Sequence, residues 1–271
     1  MSSQLKSPLP GTILGMGASC FASTADASTI FKGYEIWVDG KRHSYYARSC
    51  EDNLLREETI YKHIGNHPQI LKCFGLEEIH PGIHSLRLEL ASLGNVRQFI
   101  ENHENTVPSK LTRLQMALDV AIGVSFIHSR GVWHSDLGCR NLFLFEGYRV
   151  KLGDFGASML EDRFKELVYE GNRYELPCRG RAFEKRPRIK RELFALRSAV
   201  YEIMAWTRLH KGLEDEEIET RYSREEFPSL DGKVGSIIFG CWEEAYKSAD
   251  EVVKELRDAA SIDQDNESQH Q

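Results

Sequence analysis

At 271 residues, 41% of them hydrophobic and 28% charged, the chain is too apolar to be disordered or fibrous and long enough for one sizeable core or two closely packed lobes. Its 35 Lys and Arg stand against 41 Asp and Glu, and a formal net charge of -6 argues against a general nucleic-acid binder, which would be basic. The six cysteines are widely spaced, with no CxxC pair and no Cys/His cluster at zinc-ligand spacing, so they read as reduced thiols.

The stretch MSSQLKSPLPG lacks the basic and apolar regions of a signal peptide, and residues 1–10 read as an N-terminal extension. No run is long and apolar enough for a membrane span, so an intracellular location, cytoplasmic or nuclear, is expected, with neither membrane nor nucleic acid as partner. From residue 11 to about residue 90, short β-like runs dominate: TILGMGASCFAS, STIFKGYEIWV, RHSYYARSC, ILKCFGLEEI and HSLRLEL, broken by Gly or polar turns. One helix interrupts them, in EDNLLREETIYKHIG, where Leu54, Leu55, Ile60, Tyr61 and Ile64 recur at helical spacing and Gly65 with Pro68 stops the pattern.

From about residue 91 to residue 260 the texture is helical. LTRLQMALDVAIGVSFIHSRG is apolar around much of its circumference, as a buried helix would be, and RELFALRSAVYEIMAW reads the same way. Between them, NLFLF and YRVKLGDF form a predicted hairpin around Glu146 and Gly147. KSADEVVKELRDAA reads as a last amphipathic helix with Ser248 as its cap, and residues 261–271 as a disordered polar tail. The expected architecture is α+β: a small β-rich lobe with one helix, a hinge near residues 89–95, and a larger, mainly helical lobe. Clefts between lobes commonly hold ligands.

Gly15 and Gly17, in GMGASCFA, fall between two predicted strands, where backbone amides can approach a phosphate or simply close a hairpin. Lys32 lies in an apolar strand, where an ammonium group needs an anion or a carboxylate unless the strand is an exposed edge. Glu57 and Glu58 on the helix are the candidate carboxylates. HSDLGCRN, residues 134–141, supplies a carboxylate, Asp136, and an amide, Asn141, from one loop, and GDFG adds Asp154, a hard oxygen ligand for Mg²⁺.

With these motifs in this order, and a late Cys241-Trp242, the chain resembles the eukaryotic protein kinase family over residues 11–257, and looks most like short, divergent fungal protein kinases. The resemblance implies a two-lobed protein-kinase-like fold that uses ATP and Mg²⁺ to phosphorylate a protein substrate. It implies that Leu14, Gly15, Gly17, Ala22, Lys32, Leu88, Glu89, Ala91 and Leu142 bind the nucleotide, with Leu88 as gatekeeper. It implies that Lys32 pairs with a helix glutamate, that Asp136 takes the hydroxyl proton, and that Asn141 and Asp154 bind metal. Glu57 is preferred to Glu58 as the glutamate, because it places Tyr61, rather than Lys62, at the apolar position four residues on.

The chain departs from the family pattern at several places. Ser135 stands where an arginine would grip a phosphate on the activation segment, which implies regulation by another route. Cys20 replaces the third loop glycine, and Ala22 a valine. ELPC ends in Cys178 where a glutamate belongs, and the arginine that would pair with it after Cys241-Trp242 is also missing. Glu192 replaces an aspartate and Arg197 a glycine in the second buried helix. Gly138 stands where serine/threonine kinases carry lysine, whereas Arg140 is similar to tyrosine kinases; serine or threonine is preferred as acceptor. The basic run from Arg173 to Arg191 suggests an acidic or phosphorylated substrate, or else a solvated loop. An active kinase is the first reading, with a pseudokinase binding module and a small-molecule phosphotransferase as alternatives.

Overall fold

The computed structural model describes residues 11–17, 20–38, 41–44, 49–160, 163–164 and 170–268. The N-terminal extension, Ala18 and Ser19 of the glycine stretch, residues 45–48 of the predicted strand RHSYYARSC and residues 269–271 lie outside them. The chain divides into two compact units, one holding residues up to His67, Leu71–Ala91 and Asp154–Ala157, the other Pro68–Ile70, Ser92–Gly153 and everything from Ser158 onward.

In the first unit the β-branched and aromatic runs become β1 (Ile13–Met16), β2 (Phe21–Thr24), β3 (Thr29–Gly33), β4 (Glu35–Val38) and β5 (Lys41–Ser44), followed by helix α1 (Ser49–Ile64) and strands β6 (Cys73–His80) and β7 (Ile83–Glu89). Five strands form one antiparallel sheet in the order β1-β2-β3-β7-β6, while β4 and β5 pair separately as a hairpin. STIFKGYEIWV therefore yields two strands rather than one. The break falls at Tyr34, just after Gly33, where a Cβ would stand 2.2 Å from Ser85 Oγ, so only glycine admits that close approach. Ser49 and Cys50, read as the end of a strand, already belong to α1. The helix carries Glu51 and Asp52 in its first turn and Lys62 and His63 in its last, complementing the helix dipole, and ends at Gly65 with φ +73°. Its buried face is Cys50, Leu54, Glu57, Ile60, Tyr61 and Ile64.

The second unit begins with α2 (Val96–Asn102), capped by the Asn95 side chain accepting from Gln98 N, and α3 (Lys110–Ser129), capped by Ser109. Leu114, Met116, Val120, Val124 and Ile127 of α3 are all buried, as the apolar circumference predicted. β8 (Val132–Trp133), the hairpin of β9 (Leu142–Phe145) and β10 (Arg149–Leu152), and β11 (Met159–Leu160) follow, with β11 paired to β8. Four helices complete the unit: α4 (Arg188–Ala205), α5 (Asp215–Ser223), α6 (Gly232–Trp242) and α7 (Ala249–Ser268). The core lies where α3 packs on α4 and α7.

Two differences from the sequence reading have clear causes. α2, α5 and α6 were not anticipated: the first two are short, and α6 contains Gly232, Gly235 and Gly240, which lower helix propensity. A Cβ at Gly235 would stand 1.6 Å from Leu230 O, so packing requires that glycine. The stretch from Ser261, read as a disordered tail, is helical to Ser268. No Gly or Pro follows Gly240, so nothing in the sequence stops α7 once Ser248 has capped Glu251 N at 3.4 Å. Among the described residues no helix is long and apolar enough to cross a membrane.

Candidate active site

In the first unit, β3 places Lys32 opposite Ala22 of β2 and Leu86 of β7. Its Nζ donates to Glu57 Oε2 and to Asp154 Oδ1, each at 2.6 Å. Glu58 is turned away, paired with Lys62 along the helix. Burial alone would push the Lys32 ammonium down, but the carboxylates of Asp154 and Glu57 overcome it and hold it above the ordinary lysine range. Burial pushes Glu57 up, against the pull of Lys32. The other Glu57 oxygen accepts from Phe155 N at 3.3 Å, and the fully buried Phe155 ring meets Tyr61 edge-on at 5.0 Å. Asp154–Ala157 joins the β-rich unit through these contacts. Asp154 adopts φ 63°, a left-handed conformation that aspartate tolerates better than most residues.

Gly15 lies within β1 rather than between strands, and Gly17 N donates to Cys20 O at 2.8 Å to close the β1–β2 turn. Leu14 and both glycines are exposed, Ala22 and Glu89 are half-buried, and Leu88 is buried. The Ala91 amide, just past β7, makes no hydrogen bond within the described residues.

In the second unit, HSDLGCRN is held by hydrogen bonds from both sides. The Glu192 carboxylate, on α4, accepts from His134 N at 3.1 Å and Ser135 N at 2.7 Å. Burial opposes its charge, yet hydrogen bonding to His128 and to the Ser135 amide, with the nearby His128 and His134 rings, holds its carboxyl below the ordinary range. Ser135 is buried at φ 63°, so Glu192 secures a strained turn. His134 Nδ1 accepts from Asp136 N at 3.3 Å, which puts the ring proton on Nε2 and makes it the donor to Gly153 O at 3.0 Å. Asn141 Nδ2 donates to Asp136 O at 2.7 Å and Oδ2 at 3.0 Å, and Arg140 donates to Asp136 Oδ1. Leu142 is fully buried.

Gly138 leaves room for another residue. The Tyr174 ring packs so closely that a Cβ on Gly138 would stand 3.2 Å from Tyr174 Cζ. The Tyr174 hydroxyl accepts from Cys139 N at 3.2 Å and from Arg97 at 2.5 Å, and Arg97 pairs with the fully buried Glu202 of α4. The activation segment is further tied by Arg191 to Glu170 at 2.9 Å and by Arg186 to Glu175 at 3.1 Å. Beyond Cys178, Arg179 and Arg181 both bind Glu244, which follows Cys241-Trp242. The ion pair missing from the sequence is therefore present with its charges exchanged: cations on the segment, the carboxylate after α6.

Sequence reasoning missed Arg97, Tyr174, Glu202 and Glu244. Glu202 carried a signal, since a carboxylate within the apolar stretch AVYEIMAW of a buried helix requires a cationic partner.

A family model described as protein tyrosine and serine/threonine kinase matches residues 15–248. The chain is 37% identical over 117 residues to the tyrosine-protein kinase receptor svh-2 of Caenorhabditis elegans, covering 42% of this chain and 10% of that protein. It is 37% identical over 100 residues to the serine/threonine/tyrosine-protein kinase HT1 of Arabidopsis thaliana, covering 37% of this chain and 25% of that protein. It is 27% identical over 155 residues to mitogen-activated protein kinase kinase kinase 20 of Arabidopsis thaliana, covering 56% of this chain and 44% of that protein. In each case the match spans less than half of the relative's own length. The relatives include both tyrosine and serine/threonine kinases, and these three, from a nematode and a plant, lend the fungal comparison nothing.

Proposed function

This chain belongs to the protein kinase family, and we propose that it is an active enzyme transferring the γ-phosphoryl group of ATP to a protein hydroxyl, serine or threonine in preference to tyrosine. The observation that carries the reading is Lys32 held between Glu57 and Asp154 at 2.6 Å each, because a buried, charged lysine so fixed is suited to grip phosphate.

The residues fit a magnesium nucleotide. Asn141 gives its amide hydrogens to Asp136, which leaves its carbonyl oxygen for a hard cation, and the Asp154 carboxylate, hydrogen-bonded to Lys32, is 42% exposed. The free Ala91 amide suits an adenine ring acceptor, with Glu89 beside it, Leu88 as gatekeeper, Leu14, Ala22 and Leu142 as apolar contacts, and Gly15 and Gly17 over the phosphates. When bound, Mg²⁺ neutralises charge developing on the transferred phosphoryl oxygens. Asp136 accepts the substrate proton, oriented by Asn141 and Arg140. Ser135, buried with its backbone bound to Glu192, offers no cation to a phosphate on the activation segment, which favours regulation by another route.

The test is phosphoryl transfer from radiolabelled ATP and Mg²⁺ to generic protein substrates, with wild type and Asp136→Ala. Loss of at least a hundredfold in rate on substitution supports the reading. Nucleotide-dependent thermal stabilisation without transfer would make the chain a binding module instead, and transfer only to small alcohols or sugars a small-molecule phosphotransferase.

A further inference from the structure

We propose that Glu170 and Arg191 are a positioning pair that seats the activation segment beside HSDLGCRN in the unphosphorylated chain, the Glu170 carboxylate serving as the anion that phosphorylation would otherwise add. This deepens the kinase reading and rests on it.

Arg191 and Glu192 are consecutive residues of α4 that hold two different loops. Glu192 accepts from His134 N at 3.1 Å and Ser135 N at 2.7 Å, while Arg191 gives its Nε at 3.3 Å and a terminal nitrogen at 2.9 Å to Glu170 Oε2. One turn of one helix therefore anchors both the loop that carries Asp136 and the segment. Glu170 and Arg191 are only 3% and 4% exposed. A buried ion pair adds little net stability over an apolar pair, but any arrangement that parts its charges leaves each unmatched away from water, so its effect is on placement. That placement is passed on directly. Glu170 leads into a turn closed by Tyr174 N donating to Gly171 O at 2.6 Å, and the Tyr174 hydroxyl accepts from Cys139 N, within HSDLGCRN, at 3.2 Å.

Phosphorylation orders a segment by adding an anion that an arginine can bind. Between Gly156 and Cys178 the hydroxyl side chains are Ser158, Tyr169 and Tyr174. Ser158 is fully buried and donates to His134 O at 3.0 Å, and Tyr174 is buried against Gly138. Tyr169 is left, and Glu170, next to it in sequence, already brings the anion. The basic run to which Arg191 belongs is likewise used inside the fold: Arg173 holds Asp215, Arg179 and Arg181 hold Glu244, and Arg186 holds Glu175.

The test compares phosphatase-treated wild type, Tyr169→Phe, Glu170→Gln, the single reversals Glu170→Arg and Arg191→Glu, and the double reversal. Assays run at about pH 8, where the Glu170 carboxyl, raised by burial to about 7, is ionised. Treated wild type and Tyr169→Phe should match untreated wild type within about twofold in kcat/KM for protein substrate. Each single reversal should raise KM for protein about tenfold or more and leave KM for ATP within about twofold, and the double reversal should recover most of that loss. Glu170→Gln, which conserves volume and keeps an acceptor oxygen, should raise the same KM about threefold, and it decides the matter if the reversals do not fold. A merely structural role would lower the active fraction, and with it kcat, without moving KM. Activity lost on phosphatase treatment or in Tyr169→Phe overturns the proposal, as does an unchanged KM for protein in the charge variants or a double reversal no better than the singles. Amide hydrogen exchange over residues 170–178 is read in parallel, with exchange about tenfold faster expected in the single reversals and restored in the double. Should no form transfer phosphate, the kinase reading fails by itself, and the exchange rates still decide whether the pair positions the segment.

Discussion

At the scale of single residues, two buried groups make sharp claims. Tyr174 is the acceptor for both Cys139 N and Arg97, so Tyr174→Phe leaves a buried amide and a guanidinium short of a partner. The expected cost is about 1–3 kcal/mol in urea unfolding, together with a raised KM for protein substrate. Unchanged stability would mean that water replaces the hydroxyl. Glu170, paired with Arg191, is the second case: burial pushes its carboxyl from the ordinary 4.5 up to about 7, with Arg191 opposing and Glu192 reinforcing the shift. A folded value above the unfolded one means the folded chain binds the proton more tightly. That stabilisation is complete below pH 4.5 and is lost as pH rises through about 7. Wild type should therefore lose stability relative to Glu170→Gln across that window, by no more than about 1.4 kcal/mol per pH unit, and run parallel to it above. Parallel curves throughout would place the Glu170 carboxyl at an ordinary value.

Between elements, the exchanged ion pair is the feature with most to test. Glu244 receives two hydrogen bonds from Arg181, at 2.8 and 2.5 Å, and one from Arg179 at 3.0 Å, and it joins the segment before α4 to the turn after α6. All three side chains are mostly shielded, at 15% to 29% exposure, so their attraction is less screened than that of a surface pair. Removing the carboxylate by Glu244→Ala leaves Arg181 without its ion pair and Arg179 with Glu225 alone, at 3.2 Å, with an expected loss of about 1–3 kcal/mol. Combining Glu244→Arg with Arg179→Glu and Arg181→Glu should restore at least half of what Glu244→Arg alone loses. Additive losses in that cycle, measured by chemical denaturation, would show the three charges to be uncoupled.

For the molecule as a whole, what could be read from the sequence was what lies close together in it. Asp136 and Asn141 sit in one loop and Asp154 follows within a short hairpin, while α1, α3 and α4 are long enough for apolar periodicity to declare them. The choice of Glu57 over Glu58 came from helix phase, the one distant pairing that period can reach. The bonds of Tyr174 to Arg97, and of Glu244 to the segment before α4, depend on how elements pack, which no local spacing encodes. Nucleotide linkage tests the whole chain at once. Magnesium nucleotide at a hundred times its Kd should stabilise the folded chain by about 2.7 kcal/mol. Asp136→Ala should keep most of that gain, because Asp136 is assigned to the acceptor and not to the nucleotide. Asp154→Asn should make the gain indifferent to magnesium, because the substituted amide is a poor ligand for a hard cation. Thermal shifts with and without EDTA read both, and a magnesium-dependent shift that persists in Asp154→Asn would remove Asp154 from the metal site.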